Sequence, residues 1–171
     1  MILRRPRTLL WQLGLGLMLV QAAAILIPAW YAYGRFQKFH ERQTLRMLER
    51  ATPLLVDRYT THLGENGDLN QLQKLVQADG EMTGERITVM LPNGRVIADS
   101  MNDPVTMENH RDRPEVAEAL LHGTGSSRRT SATIHEPSAY FAMRIGDASS
   151  PKAIVRTSFT LVAADAEAAQ L

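Results

Sequence analysis

Asp99 and Ser100 close a short apolar run and open a loop of 14 residues, Ser100 to Arg113, that also carries His110. A carboxylate, a hydroxyl, an imidazole and a guanidinium in that interval are suited to holding a small polar molecule. Histidine would add a contact whose charge changes near neutrality, and arginine a fork for an anion. A plainer reading makes the same residues structural. Asp99 then bonds loop backbone in an Asx turn, Arg113 pairs with Asp99, and His110 is an exposed loop residue. Downstream, Gly123-Thr124-Gly125 precedes Arg128 and Arg129, and free backbone N–H groups beside guanidinium forks suit an anion. Adjacent strand residues point to opposite faces, so at most one of these arginines serves a common site. A turn and charges guarding a solvated edge strand explain the pair more simply. Tyr140 reads either as a pocket residue or as a core aromatic with a bonded hydroxyl. The ligand-binding candidates are therefore Asp99, Ser100, His110, Arg113, Arg129 and Tyr140.

Other chemistries find less support. Asp103, Glu108, His110 and Asp112 include hard-cation donors, but their spacing matches no calcium loop, so no metal and no cofactor are expected. Ser126, Ser127 and Ser131 have no neighbouring base by motif, and no catalytic constellation is found. His40-Glu41-Arg42-Gln43-Thr44 imitates a phosphoacceptor site, where an adjacent acid takes the imidazole proton. No glycine-rich ATP-binding module accompanies it, and a solvated helix face is the simpler reading. With 19 basic and 18 acidic residues, removing Arg4, Arg5 and Arg7 leaves 16 basic groups and a net charge of −2. Nucleic acid, which needs a basic stripe, is excluded on that balance. The chain has no cysteine, hence no disulfide or thiolate chemistry.

The elements that must position these groups follow from hydrophobic spacing. Leu9 to Tyr33 is uncharged and apolar, and as a helix it spans roughly 37 Å, enough to cross a bilayer. Trp11 lies near one end and Trp30, Tyr31 and Tyr33 at the other, as interfacial aromatic belts do. The basic residues 1–8 mark a cytoplasmic tail. A cleaved signal peptide is the competing reading, although the apolar run continues past Ala22-Ala23-Ala24. Residues 34–63 read as a connecting helix with Leu45, Leu48, Leu55 and Tyr59 on one stripe, kinked or divided at Pro53. That stripe packs on the domain or on a second copy of the chain. Residues 64–162 form the main domain. Asp68 caps a short helix, and Gly80 to Gly84 make a loop. Ile87 to Leu91 and Arg95 to Asp99 pair across Pro92-Asn93-Gly94. Pro114 opens a helix with Val116, Leu120 and Leu121, closed by Gly123. Three strand-like runs follow: Ser126 to Ile134, Tyr140 to Ile145, and Val155 to Leu161. Residues 163–171 are a helix-prone exit. The order predicts an α+β fold with a five-stranded antiparallel sheet.

Several motifs, in sequence, carry a resemblance: Gly94-Arg95-Val96-Ile97-Ala98-Asp99-Ser100, Glu108-Asn109-His110, Arg113-Pro114-Glu115-Val116, Gly123-Thr124-Gly125 and Arg128-Arg129. Together they resemble the extracytoplasmic PAS-like (Cache-like) sensor domain of phosphate-regulon-type sensor histidine kinases, over Arg35 to Leu171. The resemblance implies a PAS-like fold, a homodimer formed through the helix after the span, and input to a cytoplasmic kinase. Such kinases continue through a second span into phosphoacceptor and ATP-binding domains. The expectation is thus either the input portion of a longer protein or a short receptor with a partner.

The expected function is a sensory input region in a bacterial inner membrane, N-terminus inside and main domain outside, relaying a small-molecule or protein signal. The alternative is a non-catalytic single-span adaptor whose sheet face is filled by side chains.

Overall fold

Apolar spacing in the first third of the chain is met by one helix, α1 (Pro6–Thr60). The computed structural model describes residues 6–63, 67–131 and 136–161. The chain divides into two compact units, Met1–Phe39 and His40–Leu171. In the first, Trp11–Arg35 is long and apolar enough to cross a membrane, and none of it is buried. Pro53 was expected to kink or divide the following stretch. It stands inside α1 without dividing it. The phosphoacceptor imitation begins in residues whose side chains are not described, and the helix-prone end, 163–171, lies outside the described residues.

In the second unit, helix α2 (Leu69–Thr83) starts at Asp68, whose carboxylate accepts from the N–H groups of Asn70 (2.9 Å) and Gln71 (3.2 Å). It ends at Gly84, which adopts the left-handed conformation with φ 70°. The loop expected from Gly80 is therefore helical up to Thr83. Gly80 is there for proximity, since a Cβ on it would overlap the Ser100 side chain. Strands β1 (Arg86–Met90) and β2 (Val96–Asp99) form the expected hairpin. A 3-10 turn (Pro104–Thr106) lies in the long loop that follows. Helix α3 (Pro114–His122) leads to β3 (Thr124–Thr130), β4 (Pro137–Gly146) and β5 (Pro151–Thr160). The strands form one antiparallel sheet in the order β2-β1-β5-β4-β3.

One sheet face packs against α1 and α2. Tyr59, Leu72 and Val76 meet Ile87, Val89, Ala98, Ile145, Ala153 and Val155, while Leu48 meets Ala139 and Phe141. The α1 stripe thus packs on its own domain through Leu48 and Tyr59. Buried Asp79 ties the two helices by accepting from Arg58 Nη1 (2.7 Å) and the Tyr59 hydroxyl (2.8 Å). On the other face, Val116 and Ala119 of α3 cover Met90, Val96, Ala142 and Ile154. The buried side of α3 is Glu115, Val116 and Ala119 rather than the expected stripe through Leu121, which is exposed. A carboxylate replaces a leucine because α3 closes only part of this face and borders a polar site.

Candidate ligand-binding site

The uncovered part of that face is laid out by strand register. Asp99 stands opposite Thr88, Thr88 opposite Arg156, Arg156 opposite Ala142, and Ala142 opposite Gly125. The neighbouring row runs Arg86, Ser158, Tyr140 and Ser127. A third joins Thr160, Ser138 and Arg129. Period-two alternation brings these residues, distant in sequence, onto one surface.

Two buried carboxylates organise it. Asp99, fully buried, accepts from Arg86 Nε (3.2 Å) and the Thr88 hydroxyl (2.7 Å), and from the N–H groups of Met101 (3.0 Å) and Asn102 (2.9 Å). Arg156 Nη2 donates to the same Thr88 hydroxyl at 3.1 Å. Glu115, also fully buried, accepts from the Ser127 hydroxyl (2.5 Å) and Arg129 Nη2 (3.1 Å), and lies 3.6 Å from Arg156 Nη1. Both guanidinium groups lie over the Tyr140 ring, at 4.1 Å for Arg129 and 5.4 Å for Arg156. Gly125 allows this approach, because a Cβ there would overlap the Glu115 carbonyl and lie 2.8 Å from the Ala119 nitrogen.

Burial shifts the titration of these groups. Arg156 is pulled down to about 10, chiefly by desolvation, with Glu115 opposing the fall. For Glu115, burial pushes the carboxyl up, but the Ser127 bond, a backbone N–H and the two arginines outweigh it and hold it below its ordinary range. His110 falls to about 4 through burial and the neighbouring Arg156, with Arg113 and Arg86 adding to the effect and the Glu108 carbonyl opposing it.

Above the network opens a cavity of about 810 Å³, whose lining includes Arg86, His110, Arg113, Arg129, Tyr140 and Arg156. Such a volume suits a small molecule. The hairpin turn places His110: its N–H donates to the Gly94 carbonyl (2.9 Å), and the Asn109 side chain donates to the Asn93 carbonyl (2.9 Å). Gly94 has φ 86°, and the Asn109 side chain and Arg111 backbone crowd the space a Cβ would take.

The candidates therefore separate. His110, Arg113, Arg129 and Tyr140 line the cavity. Asp99 and Ser100 do not. Asp99 makes the Asx-type bonds anticipated, but its ion-pair partner is Arg86; Arg113 instead faces Glu108 at 3.7 Å. Ser100 accepts from the Ile87 N–H at 3.0 Å. His110 is 7 % exposed, so the exposed-loop reading of it is replaced by a buried one. Arg86, Glu115 and Arg156 were missed. The available signal was Arg156, a charge between Val155 and Thr157 in a strand otherwise apolar enough to be central. Among the described residues no group of three metal-ligating side chains converges.

An α+β domain with this sheet, its long N-terminal helix and a cavity on one sheet face has the fold of PAS-like, Cache-like sensor domains. No protein-family profile matches the chain, and no curated protein matches it in sequence. Solved structures do match. The ligand-binding domain of the Pseudomonas aeruginosa amino-acid chemoreceptor PctC, in complex with GABA, gives a TM-score of 0.57 at 13% identity, over 74% of this chain and 62% of that one. The ligand-binding domain of the Campylobacter jejuni chemoreceptor Tlp3, in complex with 4-methylisoleucine, gives 0.55 at 10%, over 72% and 55%. The sensor domain of the Vibrio cholerae histidine kinase DctB gives 0.57 at 12%, over 84% and 59%. This chain spans less than two thirds of each. What it shares with these chemoreceptor and kinase sensor domains is the fold.

Proposed function

We propose that the chain is the sensory input region of a membrane receptor of the sensor histidine kinase class, of the phosphate-regulon type its motifs resemble, and that its signal is a small anion. The observation that carries the reading is charge within the cavity. Four guanidinium groups, Arg86, Arg113, Arg129 and Arg156, line it, while among the described residues two carboxylates, Asp99 and Glu115, are buried and paired with them. Glu108, on the rim, is largely exposed and screened by water. An anion entering the cavity completes the balance through charge-assisted hydrogen bonds. The adaptor alternative needs a sheet face filled by side chains, and a cavity stands there instead.

The signal passes by population shift. A ligand that binds one arrangement of a helix dimer more tightly biases the equilibrium by its differential affinity, and tenfold is worth about 1.4 kcal/mol. The apolar segment Trp11–Arg35 anchors the receptor in the inner membrane, N-terminus inside and domain outside.

The test titrates the full chain in detergent with sulfate and with succinate. Either anion should raise the melting temperature beyond chloride at equal ionic strength, and Arg113→Gln should weaken that binding about tenfold while leaving the ligand-free melting temperature unchanged. No response to either anion overturns the reading. Cysteine cross-linking along Arg42 to Tyr59 tests the relay, which fails if no dimer contact forms with or without anion.

A further inference from the structure

Within the ring of cavity arginines, one group differs in kind. His110 is 7 % exposed and lines the cavity. Its Nδ1 lies 2.8 Å from the Glu108 carbonyl oxygen. A carbonyl can only accept, so Nδ1 carries the hydrogen and donates. In the neutral ring Nε2 then holds a lone pair. No described residue donates to Nε2, and it is not among the fully buried side-chain atoms that lack a partner, so it keeps some accessible surface. The neutral ring is the form the surroundings favour, because burial and the positive charges of Arg156, Arg113 and Arg86 all oppose a proton there.

The cavity therefore presents cationic donors for an anion and, beside them, an imidazole nitrogen, Nε2, that can only accept. The lining hydroxyls of Ser158 and Thr160 turn to suit either role and impose no choice, while that of Ser138 donates to the Glu136 carbonyl at 3.1 Å. Nε2 does impose one. A bound molecule lacking a donor would leave it desolvated and unpaired. The donor must also be neutral, since an ammonium group would stand among four guanidinium charges.

We propose that the cavity selects small carboxylates that carry a hydroxyl, hydroxy acids rather than plain or amino acids, with the carboxylate on the arginines and the hydroxyl donating to His110 Nε2. The proposal rests on the anion reading above and narrows it. It separates this site from the structural neighbours solved with amino-acid ligands, on the ground of the charge surrounding the donor.

The trio L-malate, succinate and L-aspartate differs at one substituent: hydroxyl, hydrogen or ammonium. Calorimetric titration of the full chain in detergent at pH 7.5, with sulfate as a donor-free anion, separates the possibilities. The expected order has malate about tenfold tighter than succinate, the scale of one hydrogen bond, with aspartate weakest. His110→Phe should bind succinate at least as tightly as the parent does, because no acceptor is left unpaired, and should bind malate no better than succinate. Equal binding of malate and succinate by the parent protein overturns the proposal, and leaves the anion reading intact if sulfate or succinate binds. A malate preference that survives in His110→Phe overturns it too, and aspartate binding tighter than malate would show the ammonium to be welcome. Failure of all four molecules to bind overturns the anion reading itself, and this proposal with it.

Discussion

Thr52 of α1 and Thr157 of β5 share a hydrogen bond of 2.8 Å between fully buried hydroxyls. Thr52 Oγ1 also donates to the Leu48 carbonyl at 2.7 Å, so Thr157 is the donor in the pair. The preceding residue, Arg156, faces the cavity on the opposite side of the same strand. Two successive residues of β5 thus touch the cavity on one side and α1 on the other.

The pair makes the two threonines unequal. Thr52→Val leaves the Thr157 hydroxyl buried without a partner and should cost about 2 kcal/mol, whereas Thr157→Val leaves Thr52 bonded to Leu48 and should cost about 1 kcal/mol. The double variant should be less destabilised than the two losses combined. Urea unfolding of the four proteins measures the coupling.

Replacing Glu115 by Gln removes the carboxylate shared by Arg129 and Arg156. Breaking a buried ion pair on one side costs about 3 kcal/mol, because uncompensated charge stays behind. Sulfate should restore more melting temperature to this variant than to the parent protein.

Titration of Glu115 gives an acid limb to stability. Its folded-state carboxyl is held low, so its contribution is complete above the unfolded value near 4.5 and is lost as pH falls through the lower folded value. Unfolding midpoints below pH 4.5 should fall more steeply in the parent protein than in Glu115→Gln.

His110 acts in a different window. Its folded value of about 4 lies below the unfolded 6.5, so the unfolded chain binds the extra proton between these values and stability rises with pH across them. The rise should amount to about 3 kcal/mol and level off above 6.5. In His110→Phe the slope between pH 4 and 6.5 should flatten, read from denaturant midpoints.

Gly125→Ala tests how α3 is seated. The added methyl would overlap the Glu115 carbonyl and crowd the Ala119 nitrogen, both backbone atoms that move only if α3 shifts. A loss of about 2 kcal/mol is expected, and sulfate should restore more of the melting temperature than in the parent protein, because the same shift moves Glu115 from the arginines. Unchanged stability would mean that α3 is not held against β3 as described.

The elements were legible wherever short-range rules govern them. Apolar runs, the Pro92-Asn93-Gly94 turn, the Asp68 cap and the Pro114 start all depend on neighbours within a few positions, and all lie where the sequence places them. Gly80 was misread as a loop residue because its small size serves Ser100, twenty positions away, rather than a turn. Asp99 was legible as an Asx residue, since its backbone partners are local. Its arginine was not. Arg86 and Arg113 lie at nearly equal distances along the chain from Asp99, and strand pairing alone puts Arg86 beside it.

By itself, then, the sequence determined the apolar segment, the α+β order, the absence of thiol chemistry and the loop that carries His110 and Arg113. The tertiary structure decided which charges meet. Arg156 joins Thr88 across β1 and β5 and faces Glu115 at the start of α3, contacts set by strand register and by the missing Cβ of Gly125. Register is a long-range property. A shift of one residue would turn Arg156 toward α1 and Thr157 toward the cavity, and only the packing of the whole sheet excludes it.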